Sequence, residues 1–324
     1  MTDLYVDNGV VALRIESDED EWASQRWEPC RLVTEPKSPP AARHVVVSVR
    51  PGPPWEPRSW ERSILHMEQE GRRSGRTWFN VETGNTYEVD DEAVTITTPG
   101  TPAALLDVFQ VLRGVLLLEL VALGGTPVHA SVLTVDDRGI AFVGPSGAGK
   151  TTFGLTAALA LPGASYVTGD KSVLMPDGRI VSLPFATSIG SGTLSSLPPG
   201  VSHGSRRLGD KHLVWLQTLS DVLGVPLAAS THLEHVVLCD LRLGREVSMV
   251  EASPSDRHVA AVAMAKYSHA TSPLWLADAW GIGVGRPPTS LLRPTGRPMQ
   301  TLSGDPGRST RTHLSRTLGG LLSR

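Results

Sequence analysis

Lysine is scarce in this chain of 324 residues. It occurs only at Lys37, Lys150, Lys171, Lys211 and Lys266, so arginine carries most of the positive charge. A formal charge of -3 at pH 7 excludes a general attraction to nucleic acid, and no nucleic-acid partner is expected. Cysteine is rarer still. Cys30 and Cys239 are too few and too far apart for a disulfide framework or a zinc spacing, and both read as reduced thiols without a chemical role. No apolar run reaches the roughly 18 residues that a membrane span needs. The longest candidate, VLRGVLLLELVAL from Val111 to Leu123, is broken by Arg113 and Glu119 and reads as a buried helix. The opening MTDLYVDNGVV lacks a basic segment followed by an apolar one, so no secretory signal is legible; a cytoplasmic location with no membrane partner is expected. What remains, 40% hydrophobic and 19% charged residues, is an ordinary globular balance that can build one large or two modest cores.

Three regions differ in pattern. Residues 1–100 carry short apolar alternations, LYVDNGVVALRI and HVVVSVR, between proline-rich breaks, and read as a small strand-rich N-terminal domain. Trp22, Trp27, Trp55, Trp60 and Trp78 all fall here and read as core or interface packing. The segment TWFNVETGNTYEVDDEAVTITTP closes the region as a hairpin-like run with its turn at ETGN. Residues 101–283 open with Thr101-Pro102, a capping residue and a first-turn proline, ahead of a strongly apolar helix. Strands and helices then alternate: PVHASVLTV, a DDRG turn, GIAFVG, TTFGLTAALAL, SYVTGD, the hairpin KSVLMPDGRIVSLP, HLEHVVLCDLRL and SDRHVAAVAMAKY. That order predicts an α/β nucleotide-binding domain. Residues 284–324 are rich in Pro, Gly, Ser and Thr, with Asp305 the only acid among seven arginines, and are expected to be a largely disordered basic tail.

The stretch GPSGAGKTT fits the phosphate-binding pattern G-x-x-x-x-G-K-[ST], and its setting after an apolar strand and before a helix is the one that pattern requires. The loop of Gly144, Pro145, Ser146, Gly147, Ala148 and Gly149 would bind the phosphates, its three glycines letting the backbone turn N–H groups round the oxygens, aided by the positive end of the helix. Lys150 would reach the β/γ-phosphates of ATP, Thr151 would place its hydroxyl on Mg²⁺, and Thr152 would serve the helix itself. A metal-bound phosphate site also needs a carboxylate. Asp170, at the end of SYVTGD, is the best candidate, and Asp240 in VVLCDLRL is a second. His129 sits on the strand before the loop. If PVHASVLTV and GIAFVG pair across the DDRG turn, His129 and Gly144 fall close together; otherwise it reads as a hydrogen-bonded core histidine. Arg206, Arg207 and Lys211 form either a solvated basic loop or a patch for phosphate or an acidic substrate.

The ordered set PVHAS, GIAFVGPSGAGKTT and YVTGDKSVLM resembles the C-terminal domain of HPr kinase/phosphorylase and the related serine kinases, including those that tailor ribosomally made peptides such as lasso peptides. PFATSIGSGTL and LEHVVLCDLRLGREVSMVEAS are weaker landmarks of the same kind. The resemblance implies the P-loop fold shared with phosphoenolpyruvate carboxykinase over residues 101–283, with His129 near the transferred phosphate and Asp170 as the second acid of an Asp-Asp pair. It further implies an ATP- and Mg²⁺-dependent kinase acting on a hydroxyl, foremost a serine of a peptide or protein, and a possible homo-oligomer. Two departures stand out. Gly169 replaces the first acid, and the Glu-Ile-Arg signature of true HPr kinases is absent, with SIGSGTLSSLPPG near its place. A kinase of small hydroxylated metabolites and a nucleotide-binding regulatory protein without transfer therefore stay open as alternatives.

Overall fold

The computed structural model describes residues 4–17, 33–50, 59, 61–65, 69–183, 185–195, 197–203, 206–208, 211–265, 274–282, 299–306, 309 and 311–322; at 64, 202–203, 206–208, 274 and 311 it describes the backbone alone. The chain is mixed α/β and divides into two compact units, Met1–Gly125 with Ser268–Gly285 and Thr126–Tyr267 with Arg286–Arg324.

The first unit holds β1 (Leu4–Asp7), β2 (Ala12–Ser17), β3 (His44–Val49), β4 (Glu61–Ile64), β5 (Glu70–Ser74), β6 (Thr77–Asn80), β7 (Thr86–Val89) and β8 (Ala93–Thr98). They form one sheet in the order β1-β2-β3-β8-β7-β6-β5-β4, antiparallel except for the β2–β3 and β3–β8 pairs. Helix α1 (Pro102–Ala122) begins as its sequence dictates, with Thr101 Oγ1 accepting the Ala104 N–H and proline in the first turn. Its buried acids are matched to donors. Asp107 accepts from Asn80, Thr83 and Asn85 at 2.9 Å each and from the Tyr87 hydroxyl. Glu119 accepts from Arg43 at 2.6 Å and from the Ala42 N–H at 2.7 Å. Trp78 is buried and packs on Trp275, as expected of a core aromatic; Trp22, Trp27, Trp55 and Trp60 lie outside the described residues.

The expected boundary at residue 100 therefore moves. Helix α1 packs with β8, so the first unit runs on to Gly125 and also takes residues 268–285, the end of the expected 101–283 region and the first two residues of the expected tail. An all-round apolar helix gives no sequence sign of which sheet it will cover.

The second unit contains β9 (Thr126–His129), β10 (Ser131–Val135), β11 (Arg138–Val143), β12 (Ser165–Thr168), β13 (Lys171–Leu174), β14 (Arg179–Ser182), β15 (Ala186–Gly190), β16 (Arg206–Leu208), β17 (Lys211–Trp215), β18 (Ser230–Leu241), β19 (Ser248–Glu251) and β20 (Met299–Gly304). Its helices are α2 (Lys150–Ala160), α3 (Ser191–Ser195), α4 (Gly200–His203), α5 (Leu216–Leu223), α6 (Pro254–Ala265) and α8 (Arg311–Leu322), with α7 (Leu274–Trp280) belonging to the first unit. The main sheet runs β12-β10-β11-β18-β14-β13-β9, and β20 joins β18 in parallel beyond β14. β15, β17 and β16 form a separate small sheet.

Alternation sorts the core into two faces. Leu133, Ile140, Phe142, Val237 and Cys239 pack with Phe153 and Leu155 of α2 and with Leu314, Leu318 and Leu321 of α8. Val132, Ala141, Val143, Val236 and Leu238 pack with Ala260 and Met264 of α6.

Two expectations are corrected here. PVHASVLTV is two strands bent at Ala130: β10 pairs with β11, while β9 turns away to pair with β13. The tail is not wholly unstructured. Met299 and Leu302 are buried in β20, and Leu314, Leu318 and Leu321 give α8 one apolar stripe. Burying three leucines contributes about 1.5–3 kcal/mol each, enough to order a short amphipathic helix.

Candidate functional site

The strand, loop and helix expected from GIAFVG, GPSGAG and KTT are β11, residues 144–149 and α2. Gly147 and Gly149 take φ of 83° and 86°, a left-handed conformation that strains any other residue. Gly149 is the N-cap of α2 and supplies no side-chain cap, and no acid stands in the first turn. Among the described residues the positive end of α2 thus meets neither a side-chain cap nor a first-turn acid, the arrangement that favours an anion. Lys150 is buried, with Nζ donating to the carbonyls of Gly144 at 2.9 Å and Pro145 at 3.2 Å.

Beside this loop the bent strand pairs bring His129 and Asp170 together. Segments β9–β10 and β12–β13 run antiparallel in one register, with His129 opposite Lys171 and Val132 opposite Thr168. At the bend the Ala130 N–H donates to the Asp170 carbonyl at 3.1 Å. His129 Nε2 then lies 2.9 Å from Asp170 Oδ1, both side chains about one-quarter exposed. The pair was expected near the loop for a different reason. It is β13, not β11, that holds His129 in place.

The residue before Asp170 is tied to the first turn of α2. Thr151 Oγ1 donates to the Gly169 carbonyl at 3.2 Å. Gly169 itself has no space for a side chain: an added Cβ would stand 1.9 Å from Thr187 Oγ1, 2.6 Å from Thr187 Cβ and 2.8 Å from Tyr166 Oη. A second carboxylate is therefore sterically excluded while β15 stays where it is. Burial pushes the Tyr166 phenol well above its usual range, and the nearby Asp170 charge adds to that, so it stays protonated and bonded to Ser131 at 2.9 Å. Burial likewise pushes the Cys239 thiol up, in keeping with an inert thiol; Cys30 lies outside the described residues.

His129, Asp170, Lys150 and Thr151 border one open cleft of about 500 Å³. Its floor is Ser146, Gly147, Gly149, Lys150 and Thr151, and one end is His129 with Asp170. A second wall comes from the small sheet and α3: Ser188, Gly190, Gly192, Thr193 and Lys211. The far end is Leu241, Leu243 and Asp305. Lys211 is exposed and pairs in register with Gly190, so this cation does face the cleft. Arg206 and Arg207 place their backbones in β16, and their side chains lie outside the described ones. Asp240 is not part of the cleft and pairs instead with Arg242 at 2.7 Å. Thr152 bonds to Thr193 at 2.6 Å, fastening α2 to the second wall rather than serving the helix alone.

Of that second wall only Lys211 was marked in the sequence; Ser188, Gly190, Gly192, Thr193 and the Asp305 end were not. PFATSIGSGTL carried a faint signal in its small residues, whereas Asp305 sat in a segment whose composition masked its order. Among the described residues no three His, Cys, Asp or Glu side chains converge as a metal cage. The donor set of Thr151 and Asp170 nevertheless fits Mg²⁺, which usually takes one or two carboxylates, a hydroxyl, water and substrate phosphates. No helix among the described residues is long and apolar enough to cross a membrane. No family model matches the chain, and no curated protein matches it in sequence.

Proposed function

We propose that the second unit is a P-loop phosphotransferase of the HPr-kinase-related type, transferring the γ-phosphate of ATP to a hydroxyl, foremost a serine of a peptide or protein. The observation that carries this reading is the 2.9 Å contact between His129 and Asp170 on the wall of the cleft floored by the glycine-rich loop. A carboxylate held by a histidine beside a phosphate cradle suits proton removal from an attacking hydroxyl.

In this reading the N–H groups of the glycine-rich loop and of the first turn of α2, with the Lys150 ammonium, bind the phosphates. The Thr151 hydroxyl and Asp170 would hold Mg²⁺, whose positive charge would offset that of the phosphates. The acceptor oxygen forms a bond to the γ-phosphorus while the bond from that phosphorus to the bridging oxygen breaks. The hydroxyl proton passes to Asp170, and ADP leaves. His129 donates Nε2–H to Asp170 and fixes which carboxylate oxygen faces the acceptor. Lys211, Ser188 and Thr193 line the side from which an acceptor would enter.

A direct test supplies ATP, Mg²⁺ and serine-containing peptides or hydroxylated metabolites, then looks for a phosphorylated product by mass. Loss of product in Lys150→Ala and Asp170→Asn supports the proposal, and full activity in both refutes it. A second reading, a nucleotide-binding protein without transfer, is favoured by the packing at Gly169 that leaves one carboxylate where a pair would stand. ATP binding with no product on any acceptor would select it.

A further inference from the structure

The far end of the cleft lies over the carboxyl ends of parallel strands. β11, β18 and β20 run parallel side by side, and the segments that leave them are the glycine-rich loop, residues 241–246 and residues 304–306. Open α/β sheets bind ligands outside those carboxyl ends. The acceptor end, His129 and Asp170, lies on the opposite flank of β11, beside β10 and β12. A nucleoside triphosphate whose terminal phosphate points at that pair, and whose phosphate chain lies on the loop, sends its sugar and base the other way, across β18 towards β20.

What stands there is built rather than incidental. The Leu241 N–H donates to the Ala148 carbonyl at 3.2 Å, so the β18 segment is fastened to the loop. Arg242 N–H donates to Gly304 C=O at 2.9 Å, Asp305 N–H to Arg245 C=O at 2.8 Å, and Gly244 N–H to Asp305 Oδ2 at 3.0 Å. These bonds hold Leu243 on the rim with 79% of its surface exposed, a large apolar side chain bordering a polar cleft. Asp305 borders the same end.

From this we infer that residues 241–245 and 304–305 form the nucleoside subsite of the cleft, with Leu243 the platform for the base and the Asp305 carboxylate the acceptor for ribose hydroxyls. The inference rests on the nucleotide reading of the loop. It gives the C-terminal strand β20 a part in nucleotide binding, and it gives the base an apolar contact that is indifferent to purine type.

Binding is measured by calorimetry on the full chain with Mg²⁺, comparing ATP, GTP, 3′-deoxy-ATP and inorganic tripolyphosphate. Wild type should bind ATP and GTP alike, and both more tightly than tripolyphosphate. Asp305→Asn should weaken ATP about tenfold, the scale of hydrogen bonds to a charged acceptor, leave tripolyphosphate unchanged and erase discrimination against 3′-deoxy-ATP. Leu243→Ser, at an exposed position that does not threaten folding, should weaken ATP and GTP several-fold while sparing tripolyphosphate. Equal wild-type affinity for ATP and tripolyphosphate overturns the subsite but leaves the phosphate site standing, as does an equal loss for both ligands in Leu243→Ser. Failure of wild type to bind tripolyphosphate at all, or undiminished binding in Lys150→Ala, instead removes the phosphate reading on which the subsite depends.

Discussion

Replacing Gly169 with alanine adds one methyl group where none fits. The new Cβ would lie 1.9 Å from Thr187 Oγ1 and 2.6 Å from Thr187 Cβ. Rotating Thr187 about χ1 removes the first overlap and not the second, because Cβ is fixed by the strand. Thr187 is buried in β15, where it sits opposite Val214, so relief requires that β15 or the bend at Gly169 shift. Overpacking of this kind costs about 1–3 kcal/mol, and the backbone involvement places the cost near the upper end. In a domain of this size that lowers the melting temperature by about 2–12 °C. The assay is thermal unfolding of wild type, Gly169→Ala, Thr187→Gly and the double variant. Thr187→Gly removes the two closest clashing atoms and leaves Tyr166 Oη at 2.8 Å, so the cost of Gly169→Ala should shrink by at least about 1 kcal/mol in its presence without vanishing. Gly169→Asp should be destabilised further and should not gain transfer activity. Unchanged melting of Gly169→Ala, or additive effects in the double variant, would refute the steric account of the missing acid.

Three further outcomes follow from the packing. Asp107→Ala strands the donors of Asn80, Thr83, Asn85 and Tyr87 in the core, and should cost several kcal/mol in chemical denaturation. His235 is buried with neither ring nitrogen bonded among the described residues, and burial holds its pKa below 6.5 despite the neighbouring Glu234 charge, while Arg138 adds to the lowering. Its unfolded form takes a proton first, so stability is present above pH 6.5 and is lost as pH falls below it; His235→Gln should flatten that part of the pH–stability curve. Cys239, raised from 9.0 by burial, should resist alkylation at pH 8 in a folded Cys30→Ser variant and react on unfolding. Its contribution to stability is present below pH 9 and declines above it, as the unfolded thiol ionises.

The loop was legible because its chemistry is local: Gly147, Gly149, Lys150 and Thr151 act within one turn of chain, between a strand and a helix marked by their own patterns. Asp170 and His129 were each legible as residue types in suggestive places. Their contact was not, since it depends on where two strands bend, and nothing local to PVHASVLTV announces that pairing changes partners at Ala130. The wall of Ser188, Gly190, Thr193 and Lys211 is assembled from α3 and from β15 and β17, two strands that pair although 20 residues, 191–210, separate them, beyond the reach of periodicity. Composition misled at the end of the chain. The abundance of Pro, Gly, Ser and Thr after residue 283 hid the alternation of MQTLSG and the spacing of Leu314, Leu318 and Leu321, both of which matter only once β18 and α2 offer a surface.

The central claim is that Asp170 handles the proton of an acceptor hydroxyl at a loop that holds ATP. One paired measurement on wild type and Asp170→Asn tests it: ATP affinity, and the rate of phosphoryl transfer to a serine-containing acceptor. Transfer should fall about 10²–10⁴-fold, the usual worth of a positioned general base, and by far more than ATP affinity, which loses one of the two side chains that would hold Mg²⁺. Equal transfer rates in the two proteins would contradict the claim.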